Sequence, residues 1–313
     1  MIGRLAQDIA AGLTRDVGDL AAAWTRFWLT PSHVGTVCML RWLAGAMFLY
    51  THAVWSLALD EFFVDDGWQP PELVAALRPA SPSFWWVVPD AWRWPVHLGC
   101  LAALFAFWIG YLTPVTSKLA PVVVVSYAGR VPLANFGLDQ ISTMLALYLA
   151  IAPCGRLWSV DAWRRGDQRP LVWSSSARLA TRLIQVHLCM IYLYAGLAKL
   201  KGEAWWTGEA IWMTLANQEY QSLDLTWLAW HPRLTEAITH ATVTWELSFW
   251  ALVWQPRLRP YVLGIGTAMH LGIGAFLGMW TFGLIMTIAY LAFVPGERWA
   301  ELARPRPPAS ESA

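Results

Sequence analysis

Apolar runs of membrane-crossing length alternate along this chain with segments crowded by tryptophan, proline and charge. A spanning helix takes about 17–25 mostly apolar residues. Eight stretches approach that pattern: roughly 34–59, 95–112, 119–130, 141–152, 185–206, 237–254, 261–277 and 280–293. The loops 60–94 and 201–236 are acidic and rich in tryptophan, as expected of segments with short helices at headgroup level. In the second loop, TGEAIWMTLANQ predicts such a helix with Thr207 as its N-cap. The stretch 154–182 is instead basic, holding Arg156, Arg164, Arg165, Arg169, Arg178 and Arg182. The expected fold is therefore all-α, a polytopic membrane bundle of about eight spans. Residues 1–32 read as an amphipathic interfacial helix, because Arg4, Asp8, Arg15, Asp16, Asp19 and Arg26 interrupt any signal-peptide core. Residues 33–296 read as the transmembrane domain and 297–313 as a disordered tail. Cytoplasmic loops collect Lys and Arg. With both termini in the cytoplasm, the basic stretch, the Arg257/Arg259 turn and Arg304/Arg306 lie inside and both acidic loops outside, the orientation expected in a bacterial-type inner membrane.

Polar positions inside the apolar runs narrow the picture. In QVHLCMIYLYAGLAKLKGEAWW, residues 185–206, Gln185, Tyr192 and Lys199 are spaced by seven and Gly196 precedes the lysine by three, so all four share one helical face. A polar stripe ending in an ammonium is poor lipid contact and predicts the lining of a cavity. On the expected topology Arg130, Asn135 and Asp139, in RVPLANFGLDQ, fall with Lys199 at the outer ends of their spans. Glu246 and His270 reach the middle or outer half of theirs. Six polar groups at similar depth predict one cavity opening outward. Each also has a plainer reading. Lys199 can snorkel to the interface, Arg130 and Asp139 can pair across a re-entrant turn, and Glu246 can make a helix-packing hydrogen bond. The glycines around His270, at 266, 272, 274 and 278, suit close helix contact. Arg41 sits near enough to a span end to snorkel, and His52, His97 and His187 receive no assigned role.

Composition then limits the chemistry. The 313 residues are 57% hydrophobic and 14% charged, too few charges to cover a soluble protein of this length. The formal net charge of +1 argues against nucleic-acid binding and against bulk attraction to anionic lipid. Four scattered cysteines read as packing residues. HxxxH, HExxH, a Walker loop, a dinucleotide fingerprint and GxSxG are all missing, which removes most metal, nucleotide-driven and hydrolase readings.

Several motifs, in order, resemble the HTTM family, the membrane domain related to vitamin K-dependent gamma-carboxylase. They are LRWLAG, FFVDDGWQPPEL, RVPLANFGLDQI, IAPCGRLWSVDAW, YAGLAKLKGEAWWTGEAIW, TWELSFW and MHLGIGAFLGMWTFGLIM. The resemblance implies that Lys199, in the AG-x-x-K-L motif, is the base that deprotonates a reduced, vitamin K-like quinone, and that His270 stabilises developing negative charge. Glu246 joins them as a third catalytic candidate, while Arg130, Asn135, Asp139, Tyr192 and Gln185 are candidate cofactor-binding residues, with no metal. Tryptophan-rich outer loops would admit a lipid-soluble quinol from the bilayer. The A-K-L-K sequence replaces the carboxylase's lysine pair followed by leucine and aspartate. The long lumenal portion that binds substrate propeptides has no counterpart after the last span, so peptide carboxylation as such is not implied. Shorter relatives include one needed for maturation of a secreted peptide toxin. Two main functions are thus expected: a quinol-linked carboxylase-like or oxidoreductase enzyme, or a non-catalytic maturation factor binding a secreted peptide. A small-solute carrier is disfavoured by the lack of an inverted repeat. Membrane lipids and a quinol or peptide are the expected partners.

Overall fold

The computed structural model describes residues 2–166 and 173–302, with side chains from residue 16 to residue 301. The fold is all-helical. Its helices are α1 (Ile2–Leu29), α2 (Gly35–Val54), α3 (Leu59–Phe62), α4 (Pro71–Leu77), α5 (Arg93–Ile109), α6 (Thr113–Arg130), α7 (Gly137–Leu149), α8 (Val160–Arg165) and α9 (Ser175–Lys199), followed by α10 (Glu203–Thr207), α11 (Ala210–Leu215), α12 (Pro232–Leu252), α13 (Arg259–Leu277), α14 (Trp280–Tyr290) and α15 (Gly296–Leu302). One two-residue antiparallel bridge joins Ser32–His33 to Trp173–Ser174.

Eight of these helices, α2, α5, α6, α7, α9, α12, α13 and α14, correspond in order to the eight apolar stretches. Two segments, Gly35–Leu57 and Arg259–Leu277, are long and apolar enough by themselves to cross a membrane, and Trp280–Phe293 is apolar but shorter. Charges interrupt others: Lys118 and Arg130 in α6, and Arg178, Arg182 and Lys199 in α9.

α2 is central, packing on α5, α7 and α14. Its Val37, Leu40, Ala44 and Phe48 recur every three or four residues and are fully buried beside Leu104 and Phe107 of α5 and Leu145 and Leu149 of α7. That spacing produces one continuous apolar stripe. Other apolar side chains point outward, among them Leu98 and Phe105 on α5, Val115, Leu119 and Val122 on α6, and Tyr261 and Ile265 on α13.

Several expected boundaries move. α6 starts at Thr113 rather than near 119, because Pro114 suits a first helical turn and the Asp161 carboxylate accepts the Leu112 and Thr113 N–H groups at 2.9 and 2.7 Å. α9 starts at Ser175, where the Ser174 hydroxyl accepts the Ala177 N–H. Arg178 and Arg182 therefore belong to a helix and not to the basic loop. Thr207 closes α10 instead of capping the next helix, since Gly208 at φ +83° reverses the chain there. Arg41 does not snorkel: it is fully buried and donates to the carbonyls of Cys154, Phe107, Trp108 and Trp158. The helix Gly296–Leu302 takes in the first six residues of the expected tail, 297–302, which are therefore not disordered, and the rest of that tail, 303–313, lies outside the described residues.

Candidate functional site

The site is built where α9 ends against α12. Gly196 makes the approach possible, because a Cβ there would stand 2.8 Å from Leu247 Cδ2 and 3.3 Å from the Leu247 backbone nitrogen. With the helices this close, Lys199, the last residue of α9, places Nζ 2.9 Å from both Glu246 carboxylate oxygens. The glutamate side chain is 7% exposed and the lysine 23%, so the pair sits at an edge, carboxylate inward and ammonium outward. The Trp205 ring covers the ammonium, with its centroid 5.1 Å from Nζ. Lys199 is thus held by a carboxylate and an indole and is not a freely snorkelling side chain.

About two helical turns further into α9, Tyr192 forms the centre of a second polar group. Its hydroxyl lies 2.7 Å from His270 Nε2 and also hydrogen-bonds the Tyr290 hydroxyl. Trp245 and Phe249 pack on the Tyr192 ring at centroid distances of 4.8 and 4.5 Å, which fixes its position between α12, α13 and α14. The other His270 nitrogen, Nδ1, is buried and lacks a hydrogen-bond partner among the described residues. Phe282 meets the imidazole edge-on at 5.3 Å. Gly283 lets α14 close on α13, since a Cβ there would stand 2.4 Å from the His270 carbonyl oxygen. Trp245, the neighbour of Glu246 in α12, is the residue that packs on the Tyr192 ring, which ties the two groups together. Lys199, Glu246, Tyr192 and His270 are thereby brought together from three helices, with Tyr290 added from a fourth. Tyr290 was missed by sequence reasoning; its only signal was a phenol inside the apolar run TFGLIMTIAYLAF.

The remaining predicted residues take local partners. Gln185 donates from Nε2 to the Ala292 carbonyl at 2.6 Å and accepts from Arg182 at 2.8 Å, tying α9 to the turn after α14. Arg130 donates to the Gln69 and Val64 carbonyls, each at 2.7 Å, and lies over Trp86. It anchors the 60–94 segment onto the end of α6. Asn135 donates to the Ala128 carbonyl at 2.7 Å, and the Asp139 carboxylate accepts the Phe136 N–H at 3.0 Å, closing the first turn of α7. Arg130 and Asp139 do not pair, and no hydrogen bond joins these three to the Lys199 or His270 groups. Their turn nevertheless approaches the site through one ring: Phe282, which touches His270, also packs on Gly137. His187, left unassigned, meets the Tyr148 hydroxyl at 3.0 Å. Among the described residues no cluster of His, Cys, Asp or Glu is arranged to hold a metal ion.

A Tyr192→Phe variant tests the inner group. It strands His270 Nε2 and removes one partner of Tyr290, a loss expected to cost about 1–3 kcal/mol. Thermal unfolding of the purified protein measures it, and an unchanged midpoint would contradict the hydrogen-bond chain.

Buried polar side chains from four packed helices of an all-helical bundle thus converge on one internal region. The HTTM domain family matches residues 140–299, just over half of the chain and all of α9, α12, α13 and α14. The protein belongs to that family, a group of membrane domains associated with vitamin K-dependent carboxylase. No curated protein and no solved structure matches the chain.

Proposed function

We propose that the protein is an eight-span enzyme of a bacterial-type inner membrane that acts on a lipid-soluble quinol, with Lys199 as base. The observation that carries this reading is the Lys199–Glu246 pair at the edge of an apolar, aromatic-lined helix junction. A base must lose its proton before it can accept another. Glu246, 2.9 Å away, is placed to take one proton from the ammonium, leaving an amine that removes a quinol O–H proton. The His270–Tyr192–Tyr290 hydrogen-bond chain, about two turns of α9 deeper, would meet the other end of the quinol ring, where its O–H and N–H groups can reorient toward developing negative charge. Only the reduced quinone would supply the electrons for any later step.

The topology proposed with this function has both termini cytoplasmic and Lys199 on the outer side. α1 lies in the interface, in keeping with Val17, Leu20 and Trp24 exposed along one face. Arg130, Asn135 and Asp139 hold the outer turns that border the site and need not touch the quinol. A second reading, a non-catalytic factor that binds a maturing peptide, is favoured by the loop over Lys199, which exposes Trp206, Trp227 and Trp230 among acidic residues.

Quinol oxidation by the purified protein in nanodiscs, with dissolved oxygen offered as the acceptor of the two electrons, separates the two. Loss of a general base lowers turnover by about 10²–10⁴-fold, so Lys199→Ala and Lys199→Arg are both expected to fall by that much. Arginine fails because it stays protonated at working pH. Turnover retained by Lys199→Arg would end the base assignment, and no turnover by the wild type with any quinol would leave the peptide-binding reading.

A further inference from the structure

A cavity of ≈340 Å³ opens at the other end of the bundle, walled by the start of α6, the segment after α7, α8 and the start of α9. Ser176 lines it, and Ser176 and Lys199 are separated by most of α9, about 35 Å at 1.5 Å per residue. It is therefore distinct from the proposed quinol site and independent of that assignment. Its polar wall includes Thr113, Ser117, Lys118, Arg156 and Arg165. The one carboxylate there, Asp161, is committed to the Leu112 and Thr113 N–H groups. Among the described residues none of the three cations is in an ion pair. Lys118 donates to the Ala150 carbonyl, Arg165 donates to the Gly155 carbonyl at 3.2 Å, and the Arg156 guanidinium makes no hydrogen bond among the described residues, its backbone N–H alone donating, to the Pro153 carbonyl. Thr113, 5% exposed, lines the cavity with a buried hydroxyl that has no hydrogen-bond partner among the described residues, and Ser117, 3% exposed, lines it one turn further on. A chain-wide net charge of +1 conceals this local excess.

Two guanidinium groups, an ammonium and a buried unpartnered hydroxyl offer many donors around one space, the donor set that a tetrahedral oxyanion satisfies. The cavity also adjoins an apolar surface. Val115, Leu119 and Val122 form an exposed stripe along α6, with Leu147 exposed on α7 and Ile151 just after it. We propose that this cavity binds a phosphate group, that of an anionic phospholipid headgroup whose acyl chains lie along the α6–α7 face. Basic pockets between membrane helices on the cytoplasmic side hold such headgroups. The occupant ties α6, α7, α8 and α9 together at the end opposite Lys199.

Native mass spectrometry of the full chain in detergent, offered dioleoyl-phosphatidylglycerol or dioleoyl-phosphatidylcholine, tests the proposal. A parallel thermal-shift series uses inorganic phosphate at constant ionic strength. Phosphatidylglycerol is expected to be retained over phosphatidylcholine, whose choline the three cations repel. Arg156→Gln/Arg165→Gln should weaken its binding at least about 10-fold. Thr113→Val, which replaces only the hydroxyl, should weaken it a few-fold with the unfolding midpoint preserved, and Arg233→Gln, at the Lys199 end, should leave binding unchanged. Stabilisation by inorganic phosphate that depends on Arg156 and Arg165, without lipid retention, would keep the phosphate site and overturn its lipid source. Equal binding of phosphatidylglycerol to wild type and Arg156→Gln/Arg165→Gln, with no phosphate effect, would overturn the proposal.

Discussion

Replacing Arg41 by methionine is expected to destabilise the protein by about 3–5 kcal/mol, although the two side chains are similar in length and methionine carries no charge to bury. Removing a buried charge often helps a protein. Here the carbonyls left behind decide the sign. The Phe107 carbonyl keeps a second donor, the Gly110 N–H at 3.1 Å. The carbonyls of Trp108, Cys154 and Trp158 receive the guanidinium alone among the described backbone and side-chain bonds. Each stranded buried acceptor costs about 1–3 kcal/mol. Those carbonyls belong to the C-terminal turn of α5 and to the segment between α7 and α8, so Arg41 fastens two connections to the central helix at once. Arg41→Lys should recover only part of the loss, because one ammonium cannot span the same fork of acceptors. Thermal unfolding in nanodiscs checks the order wild type, lysine, methionine. A methionine variant as stable as the wild type would show that water or rearranged backbone satisfies those carbonyls.

The second large effect is expected at Lys199. Lys199→Ala leaves the Glu246 carboxylate buried without its cation, at a cost of about 2–4 kcal/mol. The lower part of that range applies because the lysine end of the pair is partly exposed. Adding Glu246→Gln to Lys199→Ala should restore much of the stability, since the charge that suffers is then gone. A double-mutant cycle would give a coupling of about 1–3 kcal/mol. Turnover should behave differently. Lys199→Arg keeps a cation beside Glu246 and is expected to stay within about 1 kcal/mol of wild type, yet to lose quinol oxidation. The double variant should be stable and inactive. Stability and activity that fell together through the whole series would reduce the pair to a structural role and remove the base from the proposed mechanism.

The face of α9 was legible before any coordinates because it depends only on helical period: residues seven apart lie two turns apart on one side. Tyr192 and Lys199 do share that side and both reach α12. Gln185, equally well placed by the period, is drawn to the Ala292 carbonyl, because a different helix end stands opposite it at that level. The glycines around His270 were open to two readings. Gly266 would place a Cβ 2.6 Å from both the Trp245 ring and the Tyr290 hydroxyl, and Gly274 would place one 2.8 Å from Trp280, so they serve close contact. The turn RVPLANFGLDQ was correctly marked as polar backbone between two helices. Its Arg130, Asn135 and Asp139 side chains, however, bond that backbone and the 60–94 segment, and none of the three hydrogen-bonds His270.

The sequence by itself determined the all-helical class, the order of the helices that fill the apolar stretches and the polar side chains that break them, because each depends on local period, length and the cost of placing charge in an apolar run. The tertiary structure alone decided partners. Glu246 meets Lys199 across 47 positions of chain, Tyr290 reaches Tyr192 across 98, and Arg41 finds carbonyls more than 60 residues away. Such pairings depend on helix rotation and on ångström-scale approach at small residues such as Gly196. Those distances are set by the packing of several helices together, and no single helix contains them.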